Sequence, residues 1–423
     1  MKIAIENIAL IKKAEIELNG ITVIAGLNKT GKTTIGRALY AMIRAYGNLP
    51  QKVLMSKKDG IRKAFVNIIR QNKEIFEKTS LWVFELAEDF IAPIKERDLL
   101  EWMVDDAHEK LREYIDQWVH SKKEFEDYIS GEELDAMYKA ICVVLERKNA
   151  DYEKYLIESF VKRVFNKQIN CFYNDGTGIM RLEISDNVME VEFSGNELTH
   201  FTPNINFDTS AIYIESISLI DLIQSDQMNR GTRFSQQTNV CLKLLKRSSD
   251  KDDVTYEEYA EAKKTDEIIK YIIQKVTHGS LKNDSSGIFF NDQKCGKPVE
   301  LSNLSAGLKV FVVIQTLLEN GSLKSGDILL IDEPEVNLHP EWQIVLAELL
   351  VLLQKELGII IYINSHSPYF IRAIEINMAR NEMTLRGKFY LTKLDDNNLY
   401  RVEDVSQNTE RIYELLYKPL ENL

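Results

Sequence analysis

An α/β fold built around a parallel sheet is expected from three features of the sequence. The β-branched run Ile21–Ala25 leads into a glycine-punctuated loop and then a helical pattern from Thr33 to Tyr46. From Ser302 onward the chain reads helix, strand, helix, strand, helix, the alternation that parallel strands with crossover helices require. Between these ends lies a long run of charged amphipathic helices, so the core carries a large, mainly helical insertion.

The opening residues, Met1 to Leu18, alternate in polarity and carry charges throughout. That pattern fits a strand pair and lacks the charged head and apolar segment of a secretion signal. Residues 1–46 are therefore read as the N-terminal part of the core. From 47 to 168 the periodicity is helical, as in Phe76–Phe90, Leu99–Trp118 and Glu132–Lys148, with no sustained heptad, so a helical lobe is expected rather than a long coiled coil. The aromatics of this stretch, including Trp82, Trp102 and Trp118, recur at helical spacing and are read as packing residues. Residues 169–300 begin with strand-like alternation, and an antiparallel sheet is expected over 169–216, with turns at Asn174-Asp175-Gly176 and Ser194-Gly195. The polar stretch Ser225–Asp253, with Arg230, Gly231, Arg233, Lys243, Lys246 and Arg247, reads as a mobile segment whose basic run is read first as a solvated face and second as a contact for DNA or a partner nuclease. Residues 301–423 form the C-terminal lobe.

Composition narrows the function classes. The chain has 423 residues, 44% hydrophobic and 28% charged, which suits a large folded core. A formal net charge of −12 argues against a uniformly basic nucleic-acid surface, leaving only a local patch for such contact. Cys142, Cys171, Cys241 and Cys295 are far apart, so neither a zinc site nor a disulfide framework is suggested, and a reducing cytoplasm is expected. The most apolar stretch, Ile344–Ile363, is broken by Glu348, Gln354, Lys355, Glu356 and Gly358 and is too short to span a bilayer. No membrane part is expected.

Gly26, Leu27, Asn28, Lys29, Thr30, Gly31, Lys32 and Thr33 fit the pattern G-x-x-x-x-G-K-[ST], between the predicted strand and helix where that motif works. The two glycines let the backbone bend so that its N–H groups surround phosphate oxygens, and the following helix, starting with Thr33 and Thr34, presents its positive end. Lys32 is expected on the β- and γ-phosphates of a nucleotide and Thr33 on Mg²⁺. A second metal ligand is offered by Asp332, at the end of the apolar run Ile328–Ile331. Glu333, one residue on, is placed to polarise an attacking water.

Further residues follow in a fixed order: Leu304, Ser305, Ala306, Gly307 and Leu308; Asp332, Glu333, Pro334 and Glu335; Asn337, Leu338, His339 and Pro340; Asn364, Ser365, His366, Ser367 and Pro368. These resemble the signature, Walker B, D-loop and switch-histidine motifs of ABC-type ATPases. The resemblance implies an ABC-type P-loop head that binds ATP with Mg²⁺. It also implies that Ser305 and Gly307, at the start of a helix beginning near Leu308, contact the γ-phosphate held by a second copy. ATP would then join two chains, in a homodimer or higher oligomer with composite sites. His366, after the apolar strand Ile359–Ile363, would sense the γ-phosphate at the same edge as Glu333. The signature departs from LSGGQ at Ala306 and Leu308, a variation common in the SMC-like branch. The sequence does not place the Q-loop glutamine that the resemblance implies; Gln224 is a candidate.

The ends of the chain look most like the single-chain bacterial ATPases of phage-defence operons, such as the ATPase subunit of Septu-type systems. Related overcoming-lysogenisation-defect nucleases carry a TOPRIM domain after the switch histidine, for which the stretch from His366 to Leu423 leaves no room. The expected function is therefore an ATPase that controls a separate effector, a nuclease or toxin. An SMC-like DNA repair or recombination ATPase is the alternative, and would require long heptad arms or a basic channel. A transporter subunit fits less well, because Lys32 and Ser305 are separated by more than half the chain. A nucleotide-gated scaffold that binds ATP and hydrolyses it poorly is a further reading; Glu333 and His366 make hydrolysis possible without fixing its rate.

Overall fold

A computed structural model describes residues 1–71, 83–103, 108–122, 129–215, 235–245, 256–284, 287–294, 297–395 and 398–418. The elements in chain order begin with β1 (Lys2–Ile8), β2 (Ile11–Glu17), β3 (Ile21–Ala25) and α1 (Lys32–Tyr46). Six helices come after them: α2 (Leu49–Gln71), α3 (Val83–Ile91), α4 (Glu96–Trp102), α5 (His108–Ser121), α6 (Gly131–Glu146) and α7 (Asn149–Val164). Next come β4 (Gly178–Ile184), β5 (Asn187–Ser194), β6 (Glu197–Phe201), β7 (Ala211–Ile214), α8 (Gln236–Leu245) and α9 (Tyr256–Ile272). The remainder is β8 (Gly279–Asp284), β9 (Gly287–Asp292), β10 (Pro298–Val299), α10 (Ala306–Glu319), β11 (Ile328–Asp332), α11 (Pro340–Leu357), β12 (Ile360–Ser365), α12 (Pro368–Arg380), β13 (Gly387–Leu394), β14 (Tyr400–Asp404) and α13 (Glu410–Tyr417).

The chain forms two compact units. One comprises Met1–Gly47, Glu158–Thr202 and Asp208–Leu423; the other comprises Asn48–Ile157 with Pro203–Phe207. The first is built on a mixed sheet with, among the described residues, 11 strands in the order β6-β5-β4-β1-β2-β14-β13-β3-β12-β11-β7. The β13–β3, β3–β12, β12–β11 and β11–β7 pairs are parallel. Every residue of β3 and β7 is buried, as expected of parallel strands covered on both faces. The β1–β2, β1–β4, β4–β5 and β5–β6 pairs are antiparallel, and β2 keeps the alternation of a strand with one wet face.

The strand registers align three chain segments at one end of the sheet. Asp332, the last residue of β11, lies opposite Asn364 on β12, and Ser365 lies opposite Ala25 on β3. Three neighbouring parallel strands therefore end together, so Gly26, Glu333 and His366 all leave the sheet at one carboxyl edge, where parallel α/β sheets bind ligands. Helix α1 crosses close over this region: a Cβ added to Gly36 would lie 3.0 Å from the Tyr213 hydroxyl and 3.3 Å from the Asn364 amide nitrogen. Helices α8, α9, α10, α11 and α12 bury apolar residues in one core with β3, β7, β11 and β12, including Leu242, Phe311, Leu350 and Phe370.

In the second unit the helical periodicity produces a core of its own. Phe65 stacks on Phe90 with centroids 4.8 Å apart, and Trp118 meets each ring edge-on at 5.2 Å. Trp102 and Trp118 are buried there, while Trp82 lies outside the described residues. The Lys57 ammonium, fully buried, donates to the carbonyls of Leu145 (2.8 Å) and Arg147 (2.9 Å) and so closes the C-terminal end of α6.

The structure departs from the sequence reading in three places. The antiparallel sheet expected over 169–216 ends at β6; β7 instead joins β11 in parallel, because its four residues are all buried and carry no wet face. Part of the stretch read as mobile is helix α8, anchored by buried Cys241, Leu242 and Leu245. Arg230, Gly231, Arg233, Lys246 and Arg247 lie outside the described residues, as does Gln224. A second sheet, which among the described residues has three antiparallel strands in the order β10-β9-β8, lies within 169–300 but apart from the antiparallel sheet expected over 169–216. Cys142, Cys171 and Cys241 are buried and form no disulfide among the described residues; Cys295 is outside them.

Candidate functional site

The glycine loop is bent by its backbone. Gly26 has φ +156°, and a Cβ there would sit 1.9 Å from the Thr392 hydroxyl. Gly31 has φ +87° as the residue that opens α1. Between them Leu27, Asn28 and Lys29 are exposed and Lys29 takes a left-handed φ of 63°. Thr30 is buried: its hydroxyl donates to the Leu27 carbonyl at 2.8 Å and accepts from the Thr392 hydroxyl at 2.8 Å. The Lys32 ammonium, also buried, donates to the carbonyls of Gly26 (3.0 Å) and Leu27 (2.7 Å). Burial lowers its pKa, against the opposing pull of Glu333, Asp332 and Glu335. The first turn of α1, with Thr33 and Thr34 not fully exposed, holds no acidic residue, so its positive end is not neutralised from within the helix.

Asp332 closes β11 inside a hydrogen-bonded frame. Its Oδ1 accepts from the Asn364 amide at 2.6 Å and its Oδ2 from the Tyr213 hydroxyl at 3.1 Å, and the nearby Thr33 side chain also favours its charged form. Tyr362 in turn donates to Asn364 Oδ1 at 2.8 Å. Burial nevertheless raises the Asp332 pKa, because this many neutral donors do not replace a cation. Glu333 follows at a left-handed φ of 45°, its N–H bonded to the Asn364 carbonyl at 2.9 Å. Non-glycine residues in this region are costly and gather at functional sites. The Glu333 Oε1 atom lies 3.3 Å from His366 Nδ1, and Glu335 Oε1 lies 3.7 Å from the same nitrogen. Neither approach meets hydrogen-bond geometry, so His366 Nδ1 is buried without a hydrogen bond among the described residues.

Ser305 caps α10, accepting from Leu308 N at 3.4 Å, so that helix begins two residues earlier than the sequence suggests. Ser305 and Ala306 are exposed. Gly307 packs tightly on the Asp332-to-Pro340 segment: a Cβ there would lie 3.1 Å from Leu338 Cδ2 and 3.5 Å from the Asn337 carbonyl oxygen. The first turn of α10 also lacks an acidic residue.

The donor set fits a magnesium nucleotide. Lys32 rests on carbonyls of its own loop, a half-buried carboxylate stands near a hydroxyl at Asp332 and Thr33, and a buried imidazole nitrogen has no hydrogen bond among the described residues. Among the described residues no group of three or more His, Cys, Asp or Glu could hold a metal unaided. Magnesium does not need one, since it takes one or two protein oxygens and fills its shell with water and phosphate. The structure adds residues that sequence reasoning missed. Tyr213, Tyr362 and Asn364 support Asp332, and Thr392 braces Thr30. Only Asn364 lies within one of the sequence motifs; Tyr213 and Thr392 reach the site through sheet pairing alone.

Among the described residues no helix is long and apolar enough to cross a membrane. No curated protein matches the chain. Solved structures similar to it include the SMC head domain from Thermotoga maritima, at 9% identity and a TM-score of 0.39, covering 96% of this chain and 98% of that one. The SmcHead bound to the C-winged helix domain of ScpA matches at 10% identity and a TM-score of 0.40, covering 97% and 98%. The Smc head domain with an extended coiled coil bound to the C-terminal domain of ScpA, derived from Pyrococcus furiosus, matches at 12% identity and a TM-score of 0.35, covering 99% and 98%. The AAA ATPase domain family matches residues 1–371, a span that runs through the helical insertion as well as the motifs. A phosphate-type loop, a framed carboxylate and a histidine gathered at one edge of a parallel sheet accord with that match, and the chain belongs to the AAA ATPase domain family.

Proposed function

We propose that this chain binds ATP with Mg²⁺ and hydrolyses it in a site completed by a second copy, and that this cycle controls a separate effector protein. The observation that carries the reading is the shared edge of β3, β11 and β12, which gathers Lys32, Thr33, Asp332, Glu333 and His366. Backbone N–H groups from Gly26 to Thr34 would surround the phosphates, and Lys32 would leave the Gly26 and Leu27 carbonyls to meet phosphate oxygens. Asp332 and Thr33 would hold Mg²⁺, which offsets the charge that builds on the transferred phosphoryl group. Glu333 is the group placed to take a proton from the attacking water, and His366 beside it would contact the γ-phosphate. Exposed Ser305 and neighbouring Gly307, at a helix start whose first turn holds no acidic residue, would supply donors to a partner's γ-phosphate.

Phosphate release by the purified chain with ATP and Mg²⁺, alongside sedimentation with and without ATP, tests this. Neither turnover nor ATP-dependent association would leave the reading without support. Control of a nuclease or toxin, as in antiphage defence, rests on the resemblance of the two ends to Septu-type ATPase subunits. Co-purification with the product of the neighbouring reading frame tests that part. The alternative, an SMC-like repair or recombination ATPase, predicts turnover stimulated by DNA, which the same assay reads.

A further inference from the structure

Glu335 takes no part in the chemistry proposed for this edge, yet it is the most buried carboxylate there, with 4% of its surface exposed. A single oxygen, Oε1, accepts from the Ser365 hydroxyl at 2.6 Å, the His366 N–H at 3.1 Å and the Ser367 N–H at 3.2 Å. These three donors come from consecutive residues where the chain leaves β12, so one atom fixes the backbone on both sides of His366. The other oxygen, Oε2, is buried with no hydrogen-bond partner among the described residues. Burial pushes the Glu335 pKa up, and a carboxylate kept in such a place costs far more than an apolar residue of the same size would. Space-filling therefore does not account for it.

The ordering extends beyond the turn. The Ser367 hydroxyl donates to Gln343 Oε1 at 3.0 Å and accepts from Phe370 N at 3.2 Å, which caps α12. The Glu335 carbonyl accepts from Leu338 N at 3.0 Å, and Leu338 is the side chain against which Gly307 packs. Glu335 thus ties the turn bearing His366 to the segment that touches the start of α10.

We infer that Glu335 is a positioning residue for His366: by gathering the Ser365 hydroxyl and two successive N–H groups on Oε1, it aims the imidazole at Glu333. The inference rests on reading this edge as the ATP site. Glutamine at 335 keeps an oxygen acceptor, whereas leucine keeps the volume and accepts nothing. E335L is expected to lower kcat at least about tenfold while the Kd for ATP with Mg²⁺ stays within about threefold, and E335Q to remain within about threefold of the parent kcat.

A second readout needs no nucleotide. In protein labelled with ¹³C at the histidine ring, the His366 peak is identified by its loss in H366Q; E335L should move that peak and E335Q should leave it in place. Should E335L not fold, Ser365→Ala removes one of the three donors and should move the same peak. An unmoved peak in the leucine or alanine variant overturns the inference. So does a kcat loss in E335Q equal to that in E335L, which assigns the effect to charge, or a loss of ATP affinity in step with kcat, which assigns it to collapse of the loop. A parent chain that neither binds nor hydrolyses ATP removes the reading of the site instead, and the imidazole spectrum still decides whether Glu335 fixes His366.

Discussion

The Asn364 side-chain amide donates to Asp332 Oδ1 over 2.6 Å, across the pairing of β12 with β11 that sets these two residues opposite each other. Asn364 is fully buried, and its own oxygen accepts from Tyr362, so the amide cannot turn away without breaking both bonds. The carboxylate proposed to hold Mg²⁺ is therefore aimed by a residue from the neighbouring strand. Partners of this kind commonly matter about 10- to 100-fold for metal affinity or activity.

Asn364→Ala should accordingly raise the Mg²⁺ concentration needed for half-maximal turnover by about tenfold. ATP affinity measured without metal should stay close to that of the parent. A Mg²⁺ titration of phosphate release reads the first quantity and calorimetry with EDTA the second. An unchanged Mg²⁺ requirement would mean that Asp332 needs no help from Asn364.

Lys32→Ala should abolish nucleotide binding. The lysine ammonium is the buried cation of the loop, and removing it leaves phosphate charge to be met by neutral N–H groups alone. The fold should survive, because the Gly26 and Leu27 carbonyls it releases can bond water once the side chain is gone. Calorimetry showing near-parent ATP affinity in this variant would remove the phosphate-loop assignment.

What was legible in the sequence is what is local in the chain. The glycine loop, Asp332-Glu333 and His366 each sit at the end of a short apolar strand, so motif and context lie within a few residues of each other. The frame around them is non-local. Tyr213 reaches Asp332 because β7 pairs with β11, and Thr392 reaches Thr30 because β13 pairs with β3. Neither pairing has a signature in one sequence. Ala211–Ile214 is four buried residues, too short for periodicity to separate a parallel strand from the end of an antiparallel sheet. Helix α8 was hidden for another reason: its buried face is held by Cys241, Leu242 and Leu245 within an otherwise polar stretch.

Glu333→Gln should keep ATP binding and slow hydrolysis by about 100-fold or more, because the amide cannot take a proton from water. Glutamine preserves the size of the side chain beside His366, so the geometry of the edge should persist. If two copies close around ATP, the slowed variant should accumulate in the closed state and sediment faster with ATP than without it. Rapid turnover in this variant would assign the proton acceptor elsewhere.

Ser305→Arg separates a composite site from one contained within a single chain. Ser305 is exposed at the start of α10, where its side chain caps the helix at 3.4 Å from Leu308 N. Losing that cap costs about 1 kcal/mol, which a domain of this size tolerates. Arginine there fills the space that a partner's γ-phosphate would need, so closure should fail while each chain still binds ATP through its own loop. Hydrolysis should fall with affinity preserved, and ATP should no longer increase sedimentation. Mixing Ser305→Arg with Lys32→Ala subunits adds a complementary arm. In a mixed dimer the intact loop of one chain faces the intact signature of the other, while both lesions fall in the opposite site. Hydrolysis recovered from two separately inactive variants would join the two half-sites directly. The deciding measurement remains Ser305→Arg alone: turnover at the parent rate would show that one chain contains the whole site, sinking the two-copy reading while leaving the phosphate loop in place.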